Sequence, residues 1–260
     1  MEMKMMIVDS IRYTLSVNNR LPRISFTGDW LNDLGFSHET IVIATHKTGV
    51  ITLKAHGKGI DVYKSLVQEV RLNKQHLFQS LIAALGNGFY LDLTLEGAWL
   101  KRQGFNVGDI VLVRIAPKCI EIKKLNPKSL GFDEKCNFRL LQVQRYSDCG
   151  KVCPKMVFRG QWIDELGFTS DKTVNVTYKG NSIHFTVSNE ERTTKKPRNV
   201  PLKRLNIGRI SYKQSFVPFF ALKGDWLMEM GFNIGDNLLI GMKQNYLHVK
   251  LLDIVSLWDR

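Results

Sequence analysis

Long apolar runs are missing from this sequence: the longest one, from Phe216 to Leu222, spans seven residues and contains a proline. A helix that crosses a membrane needs about 20, so a helical membrane span is excluded and no membrane partner is expected. The N-terminal residues Met1 to Asp9 alternate methionine with charged residues, and they lack the apolar segment of a secretion signal.

Cysteine is also scarce, with four residues in 260. So few cysteines do not make a disulfide framework and are typical of a reducing compartment. The order Cys136, Cys149, Cys153 gives the spacing C-x12-C-x3-C, which lacks the second close pair or nearby histidine of a zinc site. Free thiols are expected, with no metal and no other cofactor.

Acidic residues are fewer than basic ones: the sequence has 24 aspartates and glutamates and 37 lysines and arginines, which gives a net charge of +13. Residues 101–213 hold 23 of these cations and ten acids, whereas the rest of the chain is balanced. An excess of this kind can merely keep a surface solvated. Its confinement to one window favours a polyanionic partner, for which nucleic acid is the usual example.

The densest cationic stretch also contains Pro197 and Pro201, and polar residues precede it. That composition predicts a loop or linker, which could follow a phosphate backbone or simply connect two elements. Its cations are Arg192, Lys195, Lys196, Arg198, Lys203, Arg204 and Arg209.

One motif, G-x-W-x4-G-F, occurs four times with identical internal spacing and uses four of the five tryptophans. Repetition at this spacing indicates an internal repeat. The copies begin at Gly28, Gly97, Gly160 and Gly224.

The motif predicts a short helix with one apolar face, since Trp30, Leu31 and Leu34 have helical spacing. Asp29 and Asp225 lie near the helix start, where a carboxylate suits free N–H groups. The second glycine fits the left-handed position after a helix, and the phenylalanine fits the apolar contact of a Schellman stop. The tryptophans are expected in the core.

Segments rich in β-formers flank every copy, one before the motif and two after it. The two later segments are separated by turn sequences, which predicts a β-hairpin. Each repeat therefore consists of a strand, a short helix and a hairpin. Copies two and four continue with Gly108-Asp109 and Gly235-Asp236, whereas copies one and three lack this pair. The alternation predicts a duplicated two-repeat unit, with domains 1–125 and 126–260.

Residues 60–85 separate the first two copies and show helical spacing of apolar residues, for example at Tyr63, Leu66, Val67 and Val70. One or two connecting helices are expected there.

The motif with a following x-x-G-D and hairpin resembles the SymE-like toxin family, which has the swapped-hairpin (SpoVT/AbrB-like) fold. The best matches run from Gly97 to Asp109 and from Gly224 to Asp236, and the resemblance extends to Leu21-Pro22 and Val152-Cys153-Pro154. It touches more than half of the chain.

This resemblance implies an α+β, β-rich protein in which four fused repeats form two swapped-hairpin-like barrels. Oligomerisation is not required, because the repeats are already joined. The family is associated with nucleic-acid binding, and SymE itself with toxin–antitoxin systems and RNA cleavage. Fusion of four copies, the helical insert and the missing Gly-Asp pairs depart from the family pattern.

Catalytic signals are weak. None of the six histidines recurs at one repeat position, although His184 and His248 both lie in second hairpin strands. No G-x-S-x-G, P-loop or H-E-x-x-H motif occurs. An enzymatic activity therefore follows from the family resemblance alone.

The leading hypothesis is a cytoplasmic protein, which in a bacterium could associate with the nucleoid, that binds DNA or RNA phosphates through its basic central segment. One alternative is a SymE-like endoribonuclease toxin. Another is an inhibitor, carried on a mobile element, that binds a protein in a nucleic-acid-handling complex. The candidate phosphate contacts are the seven cations above together with Lys101, Arg102, Arg114, Lys123, Lys124, Arg139 and Arg145.

Overall fold

A computed structural model describes residues 2–7, 9–12, 20–72, 76–79, 81–85, 88–133, 135–148, 150–188, 203–212 and 215–258. The chain forms two compact units, Met1–Asn126 with Ile254–Arg260, and Pro127–Asp253. These units differ from the predicted domains 1–125 and 126–260 in the C-terminal segment, which packs with the first unit because its helix contacts the first strand.

Ten strands are described in the first unit: β1 Glu2–Ile7, β2 Asp9–Arg12, β3 Arg20–Thr27, β4 Thr40–Lys47, β5 Val50–Lys58, β6 His76–Gln79, β7 Leu81–Leu85, β8 Gly88–Glu96, β9 Ile110–Ala116 and β10 Cys119–Lys124. Its helices in this range are α1 Trp30–Asp33, α2 Ile60–Leu72 and α3 Ala98–Arg102, and the C-terminal helix α6 Ile254–Trp258 joins them.

The second unit likewise shows ten strands over its described residues: β11 Asn137–Gln142, β12 Gln144–Asp148, β13 Lys151–Arg159, β14 Thr173–Lys179, β15 Ser182–Ser188, β16 Lys203–Asn206, β17 Gly208–Tyr212, β18 Ser215–Lys223, β19 Asn237–Lys243 and β20 Tyr246–Leu251. Its helices are α4 Gln161–Glu165 and α5 Trp226–Glu229, and a 3-10 helix spans Pro127–Leu130.

Both units have the same strand order. The six-stranded sheets run β1-β9-β10-β5-β4-β6 and β11-β19-β20-β15-β14-β16, and the four-stranded sheets run β2-β3-β8-β7 and β12-β13-β18-β17. The protein is therefore β-rich with few helices, which confirms the coarse α+β prediction. Over the described residues none of these sheets closes on itself, so the two closed barrels that were expected are not observed.

Each G-x-W motif lies between one strand and a pair of antiparallel strands, as in β3-α1-β4-β5. The strand that begins the unit, β1, pairs with β9, which follows the second motif. In the same way β6 pairs with β4, which follows the first motif. The two halves of the unit thus exchange a strand, and the second unit repeats this exchange with β11 and β16.

The predicted helical connector is correct for 60–72 and wrong beyond it. Residues 76–79 and 81–85 are the strands β6 and β7, which pair with β4 and β8. Short apolar runs fit a strand as well as a helix, and here the hydrogen bonds available at two sheet edges determine the outcome.

The Schellman stop is confirmed in all four copies. In the first, Phe36 N–H donates to the Leu31 carbonyl at 2.8 Å and Gly35 N–H to the Asn32 carbonyl at 2.9 Å. The glycines adopt positive φ, between 83° and 88°: Gly35, Gly104, Gly167 and Gly231. Asp29 and Asp225 lie at the helix start as predicted, in the N-cap position, but neither makes a side-chain cap hydrogen bond.

The tryptophans lie at the rim of the core rather than inside it. The residue after each tryptophan is fully buried, as at Leu31 and Ile163, whereas the four indole rings are half-buried. Every indole N–H donates to the carbonyl three residues earlier, for example Trp99 to Glu96 at 2.9 Å. A half-exposed ring leaves one face open to a neighbouring side chain.

Candidate nucleic-acid interface

Three of the predicted phosphate contacts make side-chain contacts within the first unit. Arg114 forms an ion pair with Glu121 and lies 4.7 Å from the ring centroid of Trp258. Lys123 donates to the Trp258 carbonyl at 2.7 Å, which fastens α6 to the sheet.

Lys124 donates to the Gly104 carbonyl at 2.7 Å and forms an ion pair with Asp109, also at 2.7 Å. Asp109 belongs to the Gly-Asp pair of the second copy, and its carboxylate accepts from the Asn106 N–H at 2.6 Å. Lys124 therefore stabilises the turn after the motif.

Arg139 and Lys203, two more predicted contacts, lie over motif tryptophans. The Arg139 guanidinium is 4.9 Å from the Trp162 centroid and the Lys203 ammonium is 5.1 Å from that of Trp226. Lys4 repeats the arrangement over Trp30 at 4.8 Å. These three cations lie on the exchanged strands β11, β16 and β1, so each cation–π contact holds an exchanged strand against the motif of its own unit.

The remaining predicted cations have varied surroundings. Lys101 and Arg102 are exposed on α3, and Arg145 is exposed on β12. Arg204 donates to the Asn175 amide oxygen at 3.2 Å and Arg209 to the Ser170 hydroxyl at 2.6 Å. Four lie outside the described residues: Arg192, Lys195, Lys196 and Arg198.

A set of cations absent from the sequence-based list lies on one face of the sheet β12-β13-β18-β17. Met156 and Phe158 of β13 point into the core and are fully buried. Because side chains alternate along a strand, Lys155 and Arg159 project from the opposite face. On β18 the same alternation buries Leu222 and leaves Lys223 exposed.

Strand register places two of these lysines together. Lys155 is directly opposite Lys223 across the β13-β18 pair. Both ammonium groups approach the ring of Tyr146 on β12, with 4.7 Å from Lys155 Nζ and 4.3 Å from Lys223 Nζ to the centroid. Lys223 also donates to the Tyr146 hydroxyl at 3.0 Å.

Lys151, at the start of β13, lies on the same face of the sheet as Lys155. Its ammonium lies 2.5 Å from the Asp225 carboxylate, and this hydrogen bond raises the pKa of Lys151 above its usual value. We call the surface formed by five residues the basic face: Tyr146, Lys151, Lys155, Arg159 and Lys223.

The equivalent face of the first unit carries a different charge pattern. Pro22 and Pro154 occupy equivalent positions, because each accepts from the first glycine of the opposite motif, at 3.1 and 3.2 Å. The next residue, Arg23, is opposite Glu96, 4.0 Å away. Where the second unit places two lysines, the first unit therefore places an opposite-charge pair.

Neighbouring positions extend this contrast. Ser25 lies opposite Thr94 and Thr27 lies opposite Asp92 in the first unit. The Thr94 hydroxyl donates to the Asp92 carboxylate at 2.9 Å and lies 2.9 Å from the Ser25 hydroxyl. The second unit has Val157 opposite Ala221 and Arg159 opposite Phe219 at the matching positions. Polar and acidic residues are thus replaced by apolar, aromatic and basic ones.

Sequence reasoning missed the basic face because its key pair joins residues far apart in the chain. One signal was present: both β13 and β18 were predicted as strands, and within them cations alternate with large apolar residues. Alternation of this kind indicates a strand with one buried and one charged face.

The two histidines noted in the sequence meet on the outer surface of the six-stranded sheet. His184 and His248 stack with ring centroids 4.3 Å apart, and His184 Nδ1 lies 2.6 Å from the Tyr246 hydroxyl. His248 is buried under Phe132, at 4.5 Å between centroids. Burial, together with His184 and Lys250, lowers the pKa of His248 to about 4, so this histidine is neutral at pH 7.

Within the described ranges no three His, Cys, Asp or Glu side chains are grouped so as to hold a metal ion. Cys119, Cys136 and Cys153 are free thiols, and burial raises the pKa of Cys119 and Cys136. None of the described helices is long and apolar enough to cross a membrane.

Comparison with known proteins does not assign this chain to a family. No family model matches the chain, and no curated protein matches it. A solved structure described as pol III beta of Caulobacter crescentus covers 92% of this chain and 67% of that chain, at 10% identity and a TM-score of 0.13. A score this low carries no argument about fold or function.

Proposed function

We propose that this protein binds nucleic acid and that the basic face contacts the phosphates. One observation carries the proposal: Lys155 and Lys223 lie opposite each other in register and share the ring of Tyr146. Like charges directly opposite on a sheet are destabilising. A bound polyanion offsets that cost, which gives the arrangement a physical reason.

The charge distribution supports the same proposal. Residues 101–213 hold the entire positive excess of the chain, and three of the four cations of the basic face lie in this window. Lys101, Arg102, Arg145 and the segment from Arg192 to Arg198 are further candidates for phosphate contact. Arg114, Lys123 and Lys124 already make contacts within the first unit, so the proposal does not rely on them.

The prediction of four fused repeats with a swapped-hairpin fold is part of this proposal as well. Exchange of β1 and β6 between the halves of a unit is the kind of pairing that a swapped-hairpin ancestor would leave after fusion. Four repeats of SymE-like origin would agree with nucleic-acid binding, and the loss of Gly-Asp in copies one and three would agree with repeats that have separate roles.

Fluorescence anisotropy of the full-length protein with labelled duplex DNA, single-stranded DNA and structured RNA tests the proposal. The variant Lys155→Glu/Arg159→Glu/Lys223→Glu reverses three cations of the basic face. The matched control Lys54→Glu/Lys58→Glu/Lys64→Glu makes the same charge change at exposed positions of the first unit.

We expect the wild type and the control to bind, and the basic-face variant to lose tenfold or more in affinity. An equal loss in both variants would show that only the net charge matters. No binding by the wild type at low salt would contradict the proposal and direct attention to a protein partner. The same samples, run on gels, show whether RNA is cleaved.

A further inference from the structure

Aromatic and apolar side chains share the outer surface of the sheet with the basic face. Phe219 lies opposite Arg159, and across the next strand pair Ile210 lies opposite Val217 and Tyr212 opposite Ser215. Tyr212 is 50% exposed and Phe219 is half-buried. We call Phe219, Ile210 and Tyr212 the aromatic strip.

We infer that the ligand of this surface is single-stranded nucleic acid, whose phosphates contact the basic face and whose bases stack on the aromatic strip. The inference rests on the proposed function and narrows it to one class of polymer. Interleaved cations and exposed rings are the combination that binds unpaired strands, because every base has a π-face and the backbone carries the charge.

The width of the sheet argues against a duplex. Four strands spaced about 4.8 Å apart make a surface roughly 15–20 Å wide, whereas the major groove is about 12 Å wide and admits a helix or a two-stranded ribbon. The sheet therefore cannot enter the groove to reach base edges. A duplex could touch it through phosphates alone, and the rings would gain nothing from that contact.

The length of the surface suits several nucleotides. β13 has nine residues, which extend about 30 Å at the usual rise of a strand. Lys151 and Arg159 mark its two ends, and Lys155 lies midway. Cations thus recur along the line that an extended backbone would follow, with Phe219 beside the last of them.

The first unit provides an internal comparison. At the position equivalent to Phe219 it has Asp92, and Ser25 and Thr94 fill the centre of its face. Hydroxyls and carboxylates offer neither a stacking surface nor an attraction for phosphates. At the position of Phe219, an aromatic ring is therefore particular to the second unit.

The test compares a labelled 12-nucleotide oligodeoxynucleotide, the matching oligoribonucleotide, and a blunt duplex of the same sequence, with Phe219→Ala and Tyr212→Ala as variants. Phe216→Ala is the matched control, because Phe216 is a 74% exposed ring on the same strand that alternation directs to the other face. Circular dichroism checks that each variant is folded, and Tyr212→Ala carries the test if Phe219→Ala is not.

We expect the protein to bind the single strands more tightly than the duplex. Each strip variant should lose about tenfold in single-strand affinity, whereas Phe216→Ala should not. Duplex affinity at low salt should stay unchanged in all three. Equal affinity for single strands and duplex, with no effect of the strip variants, would overturn the inference while leaving nucleic-acid binding intact. No binding to any of the three polymers would contradict the proposed function itself. The two single strands distinguish DNA from RNA.

Discussion

Lys155 and Lys223 lie directly opposite each other on neighbouring antiparallel strands, with both ammonium groups against the ring of Tyr146. The equivalent residues of the first unit, Arg23 and Glu96, carry opposite charges. The two sheets have the same strand order. At this residue pair the charges repel each other in the second unit and attract each other in the first, so only the second unit loses stability. Such a difference is expected where a site binds an anion.

Replacing one lysine of the pair should separate stability from binding. In Lys155→Glu the cross-strand repulsion becomes attraction, while Lys223 keeps its hydrogen bond to Tyr146. The free energy of unfolding should rise by roughly 0.2–1 kcal/mol, and nucleic-acid affinity should fall several-fold. Thermal unfolding at low salt and anisotropy measure the two effects. A less stable protein with unchanged affinity would show that the pair has no role in binding.

Acid should destabilise the second unit through His248. Its pKa is about 4 in the folded protein and about 6.5 when unfolded, so between these values the unfolded chain binds a proton that the folded chain does not. Stability should therefore fall as the pH drops from about 6.5 to about 4, by up to about 3 kcal/mol, and then level off. Unfolding by urea across this pH range measures it. His248→Phe should flatten this part of the profile, and an unchanged profile would contradict the assignment.

The second glycine of the motif should be costly to replace. At Gly231, with φ of 87°, an added Cβ meets nothing within 4 Å, so Gly231→Ala should cost about 1–2 kcal/mol from backbone strain alone. At Gly167 an added Cβ would clash with the Asn245 side chain, and Gly167→Ala should cost more. Gly231→Asn is the control, because asparagine tolerates the left-handed region. Equal stability of Gly231→Ala and the wild type would contradict the Schellman account.

Lys124 should matter for stability and not for binding. Lys124→Gln removes the ion pair with Asp109 and weakens the contact with the Gly104 carbonyl. A loss of about 1 kcal/mol in the unfolding of the first unit is expected, with nucleic-acid affinity within twofold of the wild type. Lys54→Gln, at an exposed lysine of the same unit, is the control. A large loss of affinity in Lys124→Gln alone would return this residue to the binding surface.

Local features of the fold could be predicted from the sequence, and distant ones could not. The short helix, its Schellman stop and the following hairpin all depend on residues within one repeat, so the spacing of Trp30, Gly35 and Phe36 was enough. Pairing of β1 with β9 joins residues about a hundred positions apart, and nothing in local spacing indicates it. The strand β6 was mistaken for helix for the same reason, since its partner β4 lies more than 30 positions earlier in the chain. The strand β7 pairs with β8, the next strand along the chain, and was mistaken because a short apolar run fits a helix as well as a strand.

The candidate site shows the same limit. Arg114 and Lys124 were chosen for their charge, but their acidic partners, Glu121 and Asp109, become visible only when strands and turns are in place. Lys155 and Lys223 were overlooked because they lie 68 positions apart in the chain. Charge in a sequence indicates a class of partner, whereas strand register determines which cations share a surface.

The salt dependence of single-strand binding tests the central claim most directly. For a single strand, the logarithm of the affinity falls with the logarithm of salt concentration by about 0.7 per phosphate neutralised. Lys155→Gln/Arg159→Gln/Lys223→Gln should therefore lower the affinity and reduce the slope by about 2, whereas Lys54→Gln/Lys58→Gln/Lys64→Gln should change neither. An unchanged affinity and slope in the basic-face variant would contradict the account.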